Sequence, residues 1–478
     1  MKRQASKWLI FTLVAIAQFM VVLDSSITNV ALPAIKHALN FSDNSLQWVV
    51  TAYALAFGGF LLLGGRAADQ FGRRRMLLIG MAGFTLFSLL IGISHSATLL
   101  IALRALQGLS AAFMSPAALS IVLATFTDSK ERNRALGLWT TVATGGAAAG
   151  LLVGGLLTQF VDWRWNFFIN IPIGIAISFA IARFVPKHEK ETNDKHLDLP
   201  GAALITTGLI ALVYGLSQAP TWGWLSPGTL GILATALLLI VGFVFNETRS
   251  KHPLMPLSIF KIRNVAGGNL MIAPVYAGMM SVFFLVSLYL QSVLHFSALQ
   301  TGLSFLPFPI ILGFMSTRIP KLVGTYGFKP FLIAGPLIVA LGVGILTQLP
   351  VDGSYFINVL PAILLIPLGL GLTVMPIMAA ATSGVPAHES GLASGLVSTS
   401  QQMGGAIGLA ILSGVAATVT SANIGLGAIS ALVAGYDRAF LVAVGFMIAA
   451  SILAATVIVQ RKKADQPEKA SAAIPAFE

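Results

Sequence analysis

The chain has 478 residues, of which 56% are hydrophobic and only 10% charged, with a mean hydropathy of +0.86. A soluble domain carries about 25% charge, so this composition belongs to an integral membrane protein, and the absence of cysteine excludes disulfides and thiolate metal sites. The net charge of +12 raises nucleic acid as a partner, but the placement of the charges argues against it.

At about 1.5 Å per residue, roughly 20 apolar residues cross a hydrocarbon core of about 30 Å. Fourteen such runs follow one another, near 8–32, 47–65, 76–95, 98–124, 134–158, 163–184, 199–219, 227–246, 265–292, 301–318, 328–348, 356–378, 395–417 and 437–459. The first follows Lys2, Arg3 and Lys7 as a secretory signal would, but it is too long and lacks a small-residue cleavage site, so it reads as a retained helix. It has no ionisable group from Trp8 to Leu23, and Pro33 is expected to stop it.

Within that run stands Asp24, about 24 Å from the Trp8 end by the helical rise. A carboxylate at such depth costs about 2.5 to 3.5 kcal/mol on insertion scales, so it requires a partner, a water-filled cavity or a proton. The plainer reading is an Asp at the helix mouth in headgroup water, since Ser25, Ser26, Thr28 and Asn29 follow it. Arg104 is the only basic residue well within a span, at comparable depth on span 4, so the two could neutralise each other across helices.

An even number of spans puts both termini on one side. Loops on that side hold 25 of the 29 Lys and Arg residues, against Lys36, Arg164 and Arg438 on the other, so both termini are expected in the cytoplasm. Trp48, Trp163, Trp165, Trp222 and Trp224 gather at the predicted outer ends, as an aromatic belt does. The basic charge is thus explained by a lipid bilayer and needs no nucleic acid.

Self-similarity sets the architecture. Lys321, Gly324, Gly327, Lys329 and Gly335 stand 255 residues after Arg66, Asp69, Gly72, Arg74 and Gly80, and Gly395, Gly404 and Gly408 stand 258 after Gly137, Gly146 and Gly150. Spans 1–6 therefore resemble spans 9–14, with spans 7 and 8 inserted. The expected organisation is an N-terminal six-helix bundle over 1–185, cytoplasmic linkers with two extra helices (199–219 and 227–246) over 186–264, a C-terminal six-helix bundle over 265–460, and a cytoplasmic tail over 461–478. Two such bundles predict a site between them and alternating access by rocking.

The most specific stretch runs Gly65-Arg-Ala-Ala-Asp-Gln-Phe-Gly-Arg-Arg-Arg75. Its three arginines could be a topology anchor alone, but Asp69 beside Gly72 can also cap the next helix or pair with Arg73 and break that pair when the bundles move. The stretch resembles the major facilitator superfamily signature between helices 2 and 3, and the whole chain, from Trp8 to about Gln460, resembles the fourteen-helix drug:proton antiporter family. Leu23-Asp-Ser-Ser-Ile-Thr-Asn-Val-Ala-Leu-Pro33 is similar to that family's helix 1 signature. Arg104-Ala-Leu-Gln107-Gly108 is similar to its helix 4 motif, and Trp163-Arg-Trp-Asn-Phe-Phe-Ile-Asn-Ile-Pro-Ile-Gly174 to its helix 6 entry. The resemblance implies a role in proton coupling for Asp24 and Arg104, and in gating for Gly65, Asp69, Gly72, Arg73 and Arg74.

Span 5 carries Gly146, Gly150, Gly154 and Gly155, a spacing that favours close helix packing. The resembling family has a Gly-Pro pair here; this chain has Leu151, which removes a proline kink and raises the alternative of a facilitator. Candidate cavity residues are Met20 on span 1, Tyr53 and Phe57 on span 2, Gln107, Phe113 and Met114 on span 4, and Asn166 and Asn170 at span 6. Met279, Phe283, Tyr289 and Gln291 on span 9, Met375 on span 12 and Gln402 on span 13 complete the set, since Met and aromatic side chains suit a pliable pocket. No G-x-x-x-x-G-K-[ST], H-E-x-x-H or G-x-S-x-G occurs. The reading is a monomeric, non-enzymatic secondary transporter without metal or cofactor, exporting amphipathic drugs or toxic small molecules from the plasma membrane in exchange for protons. The rivals are a facilitator or flippase for an envelope lipid or metabolite, and a non-transporting membrane sensor or scaffold.

Overall fold

The computed structural model describes residues 6–126, 128–186, 198–250, 253–381, 385 and 390–459. Fourteen helices in it are long and apolar enough to cross a membrane, and no strand occurs among the described residues. They are α1 Lys7–Leu39, α2 Trp48–Phe71, α3 Arg73–Gly92, α4 Ala97–Thr125, α5 Gly137–Phe160, α6 Trp165–Phe184, α7 Leu199–Trp222 and α8 Pro227–Arg249, then α9 Arg263–Ser292, α10 Ala298–Ser316, α11 Lys329–Gln348, α12 Tyr355–Ala381, α13 Gly395–Ala422 and α14 Ala428–Thr456. Only helices satisfy every backbone group within a single lipid-spanning segment, which is why so apolar a chain takes this form. Most of the expected linker after Pro186 and the tail beyond Gln460 lie outside the described residues.

Lys7, at the start of α1, forms an ion pair of 2.9 Å with Glu131, just before α5. Arg263, at the start of α9, donates to the carbonyls of Thr456 and Val457 at the end of α14 (2.9 Å each). These contacts mark one face, the terminal face.

Pro33 does not stop the first helix: α1 runs through it to Leu39 and ends where Asn40 takes φ 53°. Proline in a helix interior leaves the carbonyl four residues back without its donor and crowds the preceding turn. In α1 that carbonyl belongs to Asn29, and α9 supplies its donor, Ser287 Oγ (3.2 Å); one residue on, Gln291 Nε2 of α9 also donates to Val30 O (3.3 Å). The helix continues because a distant segment satisfies what the proline vacates.

Glycine packing repeats between the two groups of helices. Gly146 meets Phe19 and Gly150 meets Leu23, while Gly404 meets Ala273 and Gly408 meets Ala277, so the partners are themselves 254 positions apart in both cases. The turns after α2 and before α11 repeat as well, with Gly72 at φ 99° and Gly327 at φ 78°, a left-handed region that a β-carbon resists. Contacts that join the groups include α1 with α9 as above, α2 with α13 where Gly58 abuts Gln402, and α5 with α10 where Gly155 abuts Leu299 and the Leu151 carbonyl meets Gly302. The inserted α7 wedges against α2 through Thr206 at Gly59 and against α13 through Leu216 and Pro220 at Gly414. Helix α8 packs on α7 and leaves Leu237, Leu238 and Val241 exposed on its other side, as a lipid-facing helix does.

Candidate functional site: a sealed charge network

Asp24 is 0% and Arg104 1% exposed. Arg104 Nη1 donates to Asp24 Oδ2 at 2.6 Å and to Gln107 Oε1 at 2.6 Å, and Arg104 Nε donates to the Val49 carbonyl at 2.9 Å. The other carboxylate oxygen, Asp24 Oδ1, accepts from Gln107 Nε2 (2.9 Å) and Asn170 Nδ2 (2.9 Å). Ser88 Oγ accepts from Gln107 Nε2 at 2.8 Å and from Asn170 Nδ2 at 3.4 Å, and itself donates to Phe84 O at 2.7 Å. The Tyr53 ring lies beneath the guanidinium, 4.4 Å from its carbon to the ring centroid. Five helices, α1, α2, α3, α4 and α6, thus converge on one ion pair.

Local sequence explains how each side chain arrives. Arg104 and Gln107 are three apart on α4 and share a helical face, and Gly108 allows α2 to approach α4 at the Tyr53 carbonyl. Gly150 and Gly154 let α5 press on α1 beside Asp24: a β-carbon on Gly150 would lie 2.7 Å from Ser26 Cβ and 2.8 Å from Leu23 O, and one on Gly154 would lie 2.8 Å from Ile27 Cγ1. The span-5 glycines are therefore packing residues, with Gly146, Gly150 and Gly154 on α1 and Gly155 on α10.

The headgroup-water reading of Asp24 does not hold, because the carboxylate is enclosed and every oxygen has a donor. Breaking one member of such a buried pair costs about 3 to 5 kcal/mol, since the other charge is left uncompensated. A proton arriving on Asp24 does the same thing without a mutation. It neutralises one partner, weakens three charge-assisted bonds and leaves Arg104 with only the Val49 carbonyl, Gln107 and the Tyr53 ring.

Several expected cavity residues lie elsewhere. Gln107, Asn170 and Tyr53 belong to the charge network, where a buried amide or ring finds its partner. Met20 and Met114 are fully buried, Asn166 donates to Thr158 Oγ1 (2.7 Å), and Tyr289 donates to the Pro350 carbonyl (2.7 Å). Phe283 packs between Phe305 and Phe308, and Gln291 is engaged with Val30. Phe57, Phe113, Met279, Met375 and Gln402 are half-buried. Ser88, one of two hydroxyls in the apolar run of α3 with Thr85, was not among the expected residues, and nothing in the local sequence sets it apart from Thr85.

Near the end of α2, Gly65 sits against Pro116, and Gly72 makes the turn between α2 and α3. Asp69 faces Arg73 at 3.7 Å, half-exposed, and Gly72 rather than Asp69 stands at the start of α3, so of the two expected roles the pair is formed and the cap is not. Arg74 reaches the Ala182 carbonyl of α6.

Comparison with known proteins adds the following. Residues 14–409 match the sequence profile of the family described as Major Facilitator Superfamily. A puromycin resistance protein of Streptomyces alboniger is 38% identical, over 98% of this chain and 95% of its own length. A cephamycin export protein of Amycolatopsis lactamdurans is 40% identical over 91% of this chain and 90% of its own, and a multidrug resistance protein of Mycobacterium tuberculosis is 35% identical over 87% and 77%. Among solved structures, a POT family transporter aligns with a TM-score of 0.69 at 18% identity, covering 95% of this chain and 97% of that one. The inward-open xylose transporter of E. coli aligns at 0.62 and 14% identity, covering 96% and 98%.

Proposed function

The chain belongs to the major facilitator superfamily, and from that premise we propose that it exports amphipathic, toxic small molecules, antibiotics among them, in exchange for protons. The relatives named for resistance and export support the first half of this reading. The single observation that carries the second is the enclosed Asp24–Arg104 pair, because a charge couple held at 2.6 Å in the apolar interior is a place where one proton changes the packing of five helices.

In the proposed cycle, the bundles over 1–185 and 265–460 rock about a site between them, with both termini in the cytoplasm of a plasma-membrane monomer. The observed contacts Asn29–Ser287, Val30–Gln291 and Leu299–Gly155 all lie away from the terminal face, so this arrangement corresponds to an outer side held shut. A proton entering from outside would reach Asp24, release Arg104 and favour the opposite closure. The membrane potential supplies about 2.3 kcal/mol per charge per 100 mV, so no nucleotide is required. Asp69 and Arg73, paired across the turn at 3.7 Å, would separate and re-form on the terminal face.

Leu151 keeps a second reading alive. With leucine where the family carries proline, and its carbonyl against Gly302, the α5–α10 contact lacks a kink, which favours a facilitator. Drug efflux from cells, with and without a protonophore, separates the two. Export lost with the protonophore and lost in Asp24→Asn supports exchange; undiminished export by Asp24→Asn removes that residue from the coupling.

A further inference from the structure

The charge network bears on what the transporter recognises. Asp24 is the sole acidic residue away from the ends of α1, α2, α4, α5 and of their counterparts α9, α10, α12 and α13. Its two oxygens already hold three donors, and it has no exposed surface. The position 254 residues on, which the repeat of packing glycines sets opposite Asp24, is Gly278. Three further carboxylates stand within spans: Asp69 near the end of α2, which faces Arg73 at 3.7 Å, Glu247 near the end of α8, and Asp437 on α14. Glu247 is taken by the backbone N–H groups of Leu254 (3.2 Å) and Met255 (2.8 Å), and Asp437 by that of Leu349 (3.1 Å). Among the described residues of these spans, a cation entering between the bundles therefore meets no carboxylate that is not already engaged.

What these helices do offer is neutral. Gln18 of α1 accepts from Ser115 of α4 (2.9 Å), both half-buried, leaving the Gln18 amide N–H₂ free to donate; it lies six residues before Asp24 toward the terminal face. On the other bundle Ser400 of α13 donates to Asn269 of α9 (2.8 Å), and the neighbouring Thr399, buried, leaves its hydroxyl without a partner. The Tyr53 hydroxyl is likewise buried and unpartnered among the described residues. Burying a polar group without a partner is unfavourable, so such groups select a ligand that brings hydrogen-bonding atoms.

Resting on the export reading above, we infer that the substrates are uncharged, hydrogen-bonding amphipaths, recognised by amides and hydroxyls, Gln18 and Ser115 among them, while the Asp24 carboxylate is reserved for the proton. Charge on the substrate is selected against, because a desolvated ion without a partner is far costlier than a desolvated amide.

The test uses the full-length protein in proteoliposomes under an imposed pH gradient. Three fluorescent probes share one ring system and tail and differ in the head, which is a dimethylamide, a trimethylammonium or a sulfonate. The expected result is a kcat/KM for the amide at least tenfold above either ion, and a gain of at least tenfold for the trimethylammonium probe in Gln18→Glu, which places a carboxylate on the path. A trimethylammonium rate equal to or above the amide rate in the unaltered chain overturns the inference and leaves export standing. A cation rate unmoved by Gln18→Glu, in protein that still carries the amide, overturns the assignment of the Gln18–Ser115 pair. Movement of none of the three probes removes the export reading and this inference together.

Discussion

Replacing Ser287 by Ala and Gln291 by Leu removes the two α9 side chains that donate to α1, one to the Asn29 carbonyl stranded by Pro33 and one to the Val30 carbonyl beside it. The bonds at Asn29 O and Val30 O are long and neutral, at 3.2 and 3.3 Å, and each contributes about 0.5 to 1.5 kcal/mol. Together they hold α1 to α9 by about 1 to 3 kcal/mol, provided that water reaches the same carbonyls once the contact opens. Their loss should shift the equilibrium between the two closures by about 5- to 150-fold toward the form open on the side away from the termini. Gln291 also donates to Ser287 at 3.3 Å, a bond lost in each single variant and only once in the double, so the single changes should sum to more than the double one. Because the chain has no cysteine, Ala38→Cys and Ala422→Cys, both at exposed positions on that side, accept spin labels without a background. The label distance should lengthen in the double variant in a pH-dependent way. A distance distribution that the double substitution leaves unchanged at every pH refutes the idea that these bonds hold the face shut.

Gly150→Val should force α1 off α5 beside Asp24, since a β-carbon there already meets Ser26 and Leu23 at 2.7 and 2.8 Å; overpacking of this kind costs about 1 to 3 kcal/mol, read as a lower Tm in detergent together with loss of export. Arg104→Lys keeps the charge but cannot reach Asp24, Gln107 and the Val49 carbonyl at once, so we expect at least a tenfold fall in transport with correct membrane insertion, measured in vesicles. Glu247→Ala frees the backbone of Leu254 and Met255, costing about 1 to 3 kcal/mol locally; hydrogen exchange at those two amides should accelerate while that of α1 stays unchanged. A membrane-impermeant thiol reagent applied to intact cells should label Ser42→Cys and not Arg75→Cys, which checks the proposed orientation.

Local composition determined the number and order of the helices, the concentration of positive charge in alternate loops and the small-residue stripe of α5. Crossing lipid depends on a run of about 20 apolar residues whose backbone satisfies itself, and that is a property of adjacent residues. The repeat was legible for the same reason, since packing glycines and left-handed turns leave their mark at each position. Where Asp24 finds its partners was a different matter. Arg104 and Asn170 lie 80 and 146 residues away from it, and only the rotational phase of four other helices decides that Asn170 and Tyr53 turn toward the ion pair instead of an open cavity. Pro33 makes the same point in reverse: by local rule it ends a helix, yet α1 runs on to Leu39, and the Asn29 carbonyl it strands accepts from Ser287 of the distant α9. Whether a buried polar group is satisfied depends on what the fold brings within about 3 Å of it, and no window of neighbouring residues contains that information.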